Sequence, residues 1–192
     1  MIVDNNFLST EESDYIQDLF LGVPKSGMPP MPWVFAPSSN LETEGGRATT
    51  DSNVYEHPMF VAPLDPGHPY RNEVIRIFEK FLAKHEISYT SILRIKANWV
   101  PAAPLTSKGR YQMPHIDDDR EHKVFLYYVN DADGDTIMFN ELYQGFGPED
   151  FTIRDRITPQ KGKAIVFNGD NFHAPSAPIM TPYRCVINID FA

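Results

Sequence analysis

Cysteine is almost absent from this 192-residue chain: Cys185 stands alone, so no internal disulfide can form. In the apolar run around it, a lone cysteine reads as a small buried hydrophobe. No apolar stretch has the length of a membrane helix, and no basic residue precedes Lys25, which argues against a secretory leader. The expected setting is therefore intracellular, reducing and cytoplasmic, with no membrane partner. Cations are scarce as well. Seventeen Lys and Arg against 26 Asp and Glu give a formal charge of −9, a balance that opposes binding to a phosphate backbone and so excludes nucleic acid as the expected partner. Internal repeats and low-complexity tracts are also missing.

What is present suits one soluble core. With 42% hydrophobic residues the chain can bury a sizeable interior, and a split into two independent domains is not expected. Ser9 or Thr10 followed by Glu11-Glu12 starts a helix whose apolar stripe is Tyr15, Ile16, Leu19 and Phe20, ending at Gly22. Residues 22 to 72 hold nine of the seventeen prolines and five of the eleven glycines, and read as loops with short strand-like pieces at Trp33-Val34-Phe35 and Asn53-Val54-Tyr55. Within them, Gly27 to Trp33 is the candidate for a lid. A second helix is expected from Arg71 to His85, with Val74, Ile75, Phe78, Phe81 and Leu82 on one face. From Ser91 onward the pattern is strand and turn, with runs at 91–99, 123–130, 135–142, 151–157, 163–168 and 183–191.

Four residues stand out chemically. His115 and Asp117 are two apart, so in an extended segment both side chains leave the same face. His173 lies in Asn171-Phe172-His173-Ala174-Pro175, a strand that ends at a turn because Pro175 disfavours helix at Ala174. Arg184 interrupts the β-branched run Tyr183 to Ile189, where a buried guanidinium requires an anion. Two imidazoles and one carboxylate occupy one face of an octahedral Fe(II) and leave positions open for a chelating acid and dioxygen. Taken singly, each has a plainer reading: a surface pair, a turn histidine, an ion-pair partner. Their order and their flanking sequence together carry the metal reading.

Those flanks are Met113-Pro114-His115-Ile116-Asp117, Phe125-Leu126-Tyr127-Tyr128-Val129-Asn130-Asp131, Gly134-Asp135-Thr136-Ile137-Met138-Phe139, Ile157 to Phe167, His173 and Tyr183-Arg184. In this order they resemble the core of the Fe(II)- and 2-oxoglutarate-dependent dioxygenases, in particular the prolyl 4-hydroxylase-like branch, over Arg94 to Phe191. Val129 replaces the leucine usual in that branch, and Asp135 the second glycine of its Gly-Gly-x-Thr turn. The resemblance implies a mainly β fold with flanking helices, a double-stranded β-helix (jelly-roll) barrel of eight core strands. It places helices and loops in 1–90 and the catalytic barrel in 91–192 of a single domain. It also implies that His115, Asp117 and His173 hold Fe(II), and that Arg184 binds the distal carboxylate of 2-oxoglutarate. Tyr128 would touch the same carboxylate, and since Tyr127 and Tyr128 cannot share a strand face, at most one lines the cavity.

The implied activity consumes 2-oxoglutarate and O2, releases succinate and CO2, and hydroxylates a small molecule or a prolyl or other peptide side chain. Two alternatives stay open from the residues alone: a metal-binding jelly-roll module without turnover inside a larger assembly, and a cupin-like metalloenzyme that uses no oxoacid. Other constellations read as structural. Asp131-Ala132-Asp133-Gly134-Asp135 imitates a calcium loop but lacks the closing glutamate, since Leu142 stands there, and a tight turn is expected instead. His57, His68, His85 and His122 have no ligand partners at useful spacing, Asp118 and Asp119 read as solvated, and Arg110 and Tyr111 belong to the loop before His115.

Overall fold

A computed structural model describes residues 1–22, 29–37 and 52–192. Its elements, in chain order, are β1 (Ile2–Asp4), α1 (Thr10–Leu21), β2 (Val34–Ala36), β3 (Met59–Pro63), α2 (Arg71–Lys84), β4 (Ile92–Pro101), β5 (Lys123–Tyr128), β6 (Thr136–Leu142), β7 (Ile153–Ile157), β8 (Ala164–Asn168), β9 (Asn171–Pro175) and β10 (Tyr183–Phe191). They form a seven-stranded sheet in the order β1-β8-β5-β10-β4-β3-β2 and a three-stranded sheet in the order β7-β6-β9. Among the described residues, every pairing between these strands is antiparallel. An isolated bridge between His115 and His173 adds the segment before Ile116 to the smaller sheet. Four strands of the larger sheet (β4, β10, β5, β8) thus face four segments of the smaller one, the jelly-roll arrangement.

The helices cover the outside of the larger sheet. Ser9 caps α1 through a reciprocal pair: its hydroxyl accepts from Glu12 N at 3.2 Å, and Glu12 Oε2 accepts from Ser9 N at 3.0 Å. Such a box stabilises a helix start by roughly 1 kcal/mol. Ile16 and Phe20 of α1 and Val74, Ile77, Phe78, Phe81 and Leu82 of α2 pack on Ile95, Ala97, Phe125, Tyr127, Cys185, Ile187, Ile189 and Phe191. The α2 stripe turns on Ile77, while Ile75 is only partly buried. Cys185 is buried, as its apolar surroundings required.

Strand alternation then decides what faces inward. On β10, Cys185, Ile187 and Ile189 meet the helices, so Arg184, Val186, Asn188 and Asp190 point between the sheets. On β4 the same rule turns Arg94, Lys96 and Asn98 inward, in register with Asp190, Asn188 and Val186. An apolar inner layer of Val124, Leu126, Tyr128, Met138, Ile165, Phe167 and Val186 fills the rest.

Two local expectations are corrected. Within 22–72 the strand-like pieces at 33–35 and 53–55 are met by β2 and by the Val54–Tyr111 bridge, but 59–63, read as loop, is β3, which joins β4 in the larger sheet with Pro58 and Pro63 at its ends. Residues 27 and 28 of the candidate lid lie outside the described residues. Nor is 131–135 a tight turn. Asp133 accepts hydrogen bonds from the backbone of Ile179, Met180 and Thr181 and from the Thr181 hydroxyl, tying this loop to the one that leads into β10. Gly134 is required there, since a Cβ would stand 2.5 Å from the Ser176 carbonyl oxygen.

Candidate metal centre

His115, Asp117 and His173 converge between the sheets. One ligand atom from each lies within 4.8 Å of the others, and among the described residues no other group of three such side chains does so. His173 Nε2 stands 3.3 Å from Asp117 Oδ2. The local backbone differs from the expected strand: His115 makes a single bridge, exchanging backbone hydrogen bonds with His173 at 3.0 Å each way, and Asp117 follows in a bend. The bridge brings the two rings to a centroid distance of 4.7 Å. Register, and not strand length, holds the pair together.

Each imidazole has one nitrogen committed. His115 Nδ1 lies 3.0 Å from the Met113 carbonyl oxygen and His173 Nδ1 3.2 Å from that of Asn171. Donation from Nδ1–H to these carbonyls leaves Nε2 as the lone-pair end aimed into the centre. Burial, aided by the neighbouring His173, pushes His115 down to about 4, so its ring is neutral at pH 7 and free to ligate.

Asp117 is kept ionised against burial. Desolvation opposes its charge, yet Lys96, His173 and Arg94 together hold the carboxyl well below the usual range. Arg94 Nη2 donates to Asp117 Oδ1 at 2.5 Å and reaches Asp190 Oδ2 at 2.7 Å, while Asn188 Nδ2 donates to Asp117 Oδ2 at 3.1 Å. Lys96 Nζ is 3.6 Å from Oδ1. Asp190, buried and close to Asp117, is raised to about 6. None of Arg94, Lys96, Asn98, Asn188 or Thr136 is evident from sequence, because a polar face alternating with an apolar one reads equally well as a solvent face.

Arg184 is 3% exposed and lines the same cavity as the triad. Its Nη2 donates to Thr136 Oγ1 at 2.7 Å, and its buried Nε has no hydrogen-bond partner among the described residues. No carboxylate pairs with it among the described residues. Tyr128 and Tyr127 separate as alternation demands. Tyr128 lies in the inner layer, its hydroxyl donating to Thr136 Oγ1 at 2.8 Å and its ring 5.9 Å from the Arg184 guanidinium carbon, whereas Tyr127 packs under the helices. Tyr128 therefore adjoins the guanidinium and shares Thr136 with it.

The remaining histidines stay apart from this centre. His57 stacks on Tyr55 and reaches the Pro101 carbonyl, His85 pairs with Asp4, His68 accepts from Tyr70 N, and His122 reaches the Arg120 carbonyl. Asp118 is engaged by Arg120. Arg110 sits over the Tyr55 ring and donates to the Val54 carbonyl.

No family model matches the sequence, and no curated protein matches it either. Solved structures do. A prolyl hydroxylase from Trichoplax adhaerens, in complex with a peptide fragment of the hypoxia inducible factor oxygen degradation domain, is similar with a TM-score of 0.62 at 15% identity, over 99% of this chain and 82% of that one. A 2OG-Fe(II) oxygenase family oxidoreductase from Burkholderia pseudomallei gives 0.60 at 13% identity, over 97% and 81%. HygX from Streptomyces hygroscopicus, with nickel and 2-oxoglutarate bound, gives 0.61 at 11% identity, over 100% and 82%. At such identities the likeness is one of architecture: the chain shares the fold of these three structures.

Proposed function

We propose that this protein is an Fe(II)- and 2-oxoglutarate-dependent dioxygenase that hydroxylates an aliphatic C–H bond, with release of succinate and CO2. One observation carries the reading. A two-histidine, one-carboxylate cluster and a buried guanidinium that has no carboxylate partner among the described residues line one cavity, in a fold shared with oxygenases of that kind. The donor set fits the metal, since nitrogen, nitrogen and carboxylate oxygen on one side leave the opposite side open.

When bound, Fe(II) with O2 and the oxoacid supplies the oxidising chemistry. The chain supplies placement. His115 and His173 present Nε2 because the Met113 and Asn171 carbonyls fix the other nitrogen. Asp117 offers a formal negative charge, kept in place by Arg94 and Asn188. Arg184 takes the distal carboxylate of 2-oxoglutarate with its planar fork, remaining protonated despite burial, and Tyr128 and Thr136 complete that end. Met59, Leu126 and Val186 line the cavity with apolar surface, which limits water around the reacting groups. A small molecule, or a prolyl or other peptide side chain, is the substrate class that the resemblance implies.

Succinate formation from 2-oxoglutarate tests the reading. It is expected to require Fe(II) and O2 together and to vanish in His173→Ala. Succinate release that persists in that variant at the wild-type rate removes the proposal.

A further inference from the structure

The cavity holds a second cation that the oxoacid does not need. Lys96 projects inward from β4 opposite Asn188, its side chain 16% exposed, and lines the same space as the triad. It leans on Asp117 Oδ1, an oxygen that Arg94 already engages. Asn98, two residues along the same face, and Asn188 each carry a side-chain oxygen that is shielded from solvent and receives no hydrogen bond among the described residues. A buried amide oxygen without a donor is costly, so each is an acceptor suited to a bound N–H or O–H. Ala36, Met59 and Val61, from β2 and β3, give the cavity an apolar wall.

A charge census separates Lys96 from the rest. With a divalent ion and the dianionic oxoacid in place, the ion, Arg184 and Arg94 are matched by the two oxoacid carboxylates, Asp117 and Asp190. Lys96 is left over. The ion also takes up the charge on Asp117 that Lys96 otherwise faces, which leaves the ammonium half-enclosed and in need of another anion.

We propose that Lys96, Asn98 and Asn188 form the subsite for the primary substrate, and that this substrate is a small free α-amino or α-hydroxy acid. Its carboxylate pairs with Lys96, its N–H or O–H donates to the two amide oxygens, and its aliphatic part rests against Ala36, Met59 and Val61. The inference rests on the oxygenase reading and narrows it: an internal peptide residue has no free α-carboxylate, beside its own α-N–H, to offer Lys96.

The test uses the whole chain loaded with Ni(II) and 2-oxoglutarate, titrated calorimetrically with the proteinogenic L-amino acids, their 2-hydroxy counterparts and the corresponding carboxamides. At least one free acid is expected to bind about tenfold or more tightly than its carboxamide. Lys96→Met is expected to abolish that preference and Lys96→Arg to retain it, so a folding defect in one variant does not decide the matter. Equal binding of acid and carboxamide, or no binding of any acid, overturns the inference. So does an equal loss of 2-oxoglutarate affinity in Lys96→Met, which would put Lys96 on the cosubstrate. Binding of 2-oxoglutarate that is undiminished in Arg184→Ala instead defeats the oxygenase reading, and this inference with it.

Discussion

Arg184 and Thr136 form a buried pair in which the guanidinium donates to the threonine hydroxyl at 2.7 Å and still leaves Nε without a partner among the described residues. A charge housed in this way is built for a ligand, and two measurements follow. Arg184→Ala should raise the half-saturating 2-oxoglutarate concentration roughly 10- to 150-fold, the loss of a charged contact of about 1.5–3 kcal/mol, with iron affinity little changed. Arg184→Met should melt at a higher temperature than wild type in the absence of oxoacid, because an unmatched buried charge has been removed, and should lose the stabilisation that 2-oxoglutarate gives.

His173→Ala removes one of the three proposed ligands while the bridge to His115, made through backbone atoms, remains. Iron binding should fall by orders of magnitude with secondary structure intact, measured by equilibrium dialysis alongside circular dichroism. Equal effects of the Arg184 and His173 changes on iron affinity would contradict their separate roles.

The adjacent tyrosines should respond in opposite senses. The buried Tyr127 hydroxyl has no partner among the described residues, so Tyr127→Phe should be neutral or stabilising by up to about 1 kcal/mol. Tyr128→Phe breaks the bond to Thr136, should destabilise by roughly 0.5–1.5 kcal/mol, and should weaken 2-oxoglutarate binding. Urea titration and oxoacid saturation curves distinguish the two.

Asp133 gives a prediction on acid stability. Burial opposes its charge, but bonds from Thr181, Met180 and Ile179 lower it to about 2. A carboxyl with a depressed folded value stabilises above its unfolded value near 4 and loses that contribution as pH falls towards 2. Asp133→Asn should therefore melt at a lower temperature than wild type at pH 7, and the gap should close as pH drops through that window.

The sequence and the fold agree most where a residue violates its surroundings. Arg184 was legible because a guanidinium is foreign to a β-branched run, and burial is where the fold places it. The two helices were legible from spacing and from the Ser9 capping signature. Their period fixed the faces, with Ile77 taking the buried place expected of Ile75. The union of His115 with Asp117 was anticipated from strand geometry, yet a single bridge and a bend deliver it. Least visible were Arg94, Lys96 and Asn98. Period-two alternation shows that β4 has two faces but not which one meets water, and the answer comes from the helices that claim Ile95 and Ala97. Strand β3 was hidden by the prolines at its ends, which mask a short strand in composition.

The most direct test is the weak visible charge-transfer band that forms when Fe(II) and 2-oxoglutarate are added anaerobically to the protein. The account predicts the band in wild type and its absence in Asp117→Ala. A band of equal strength in both proteins, or none in wild type at saturating Fe(II) and oxoacid, would contradict it.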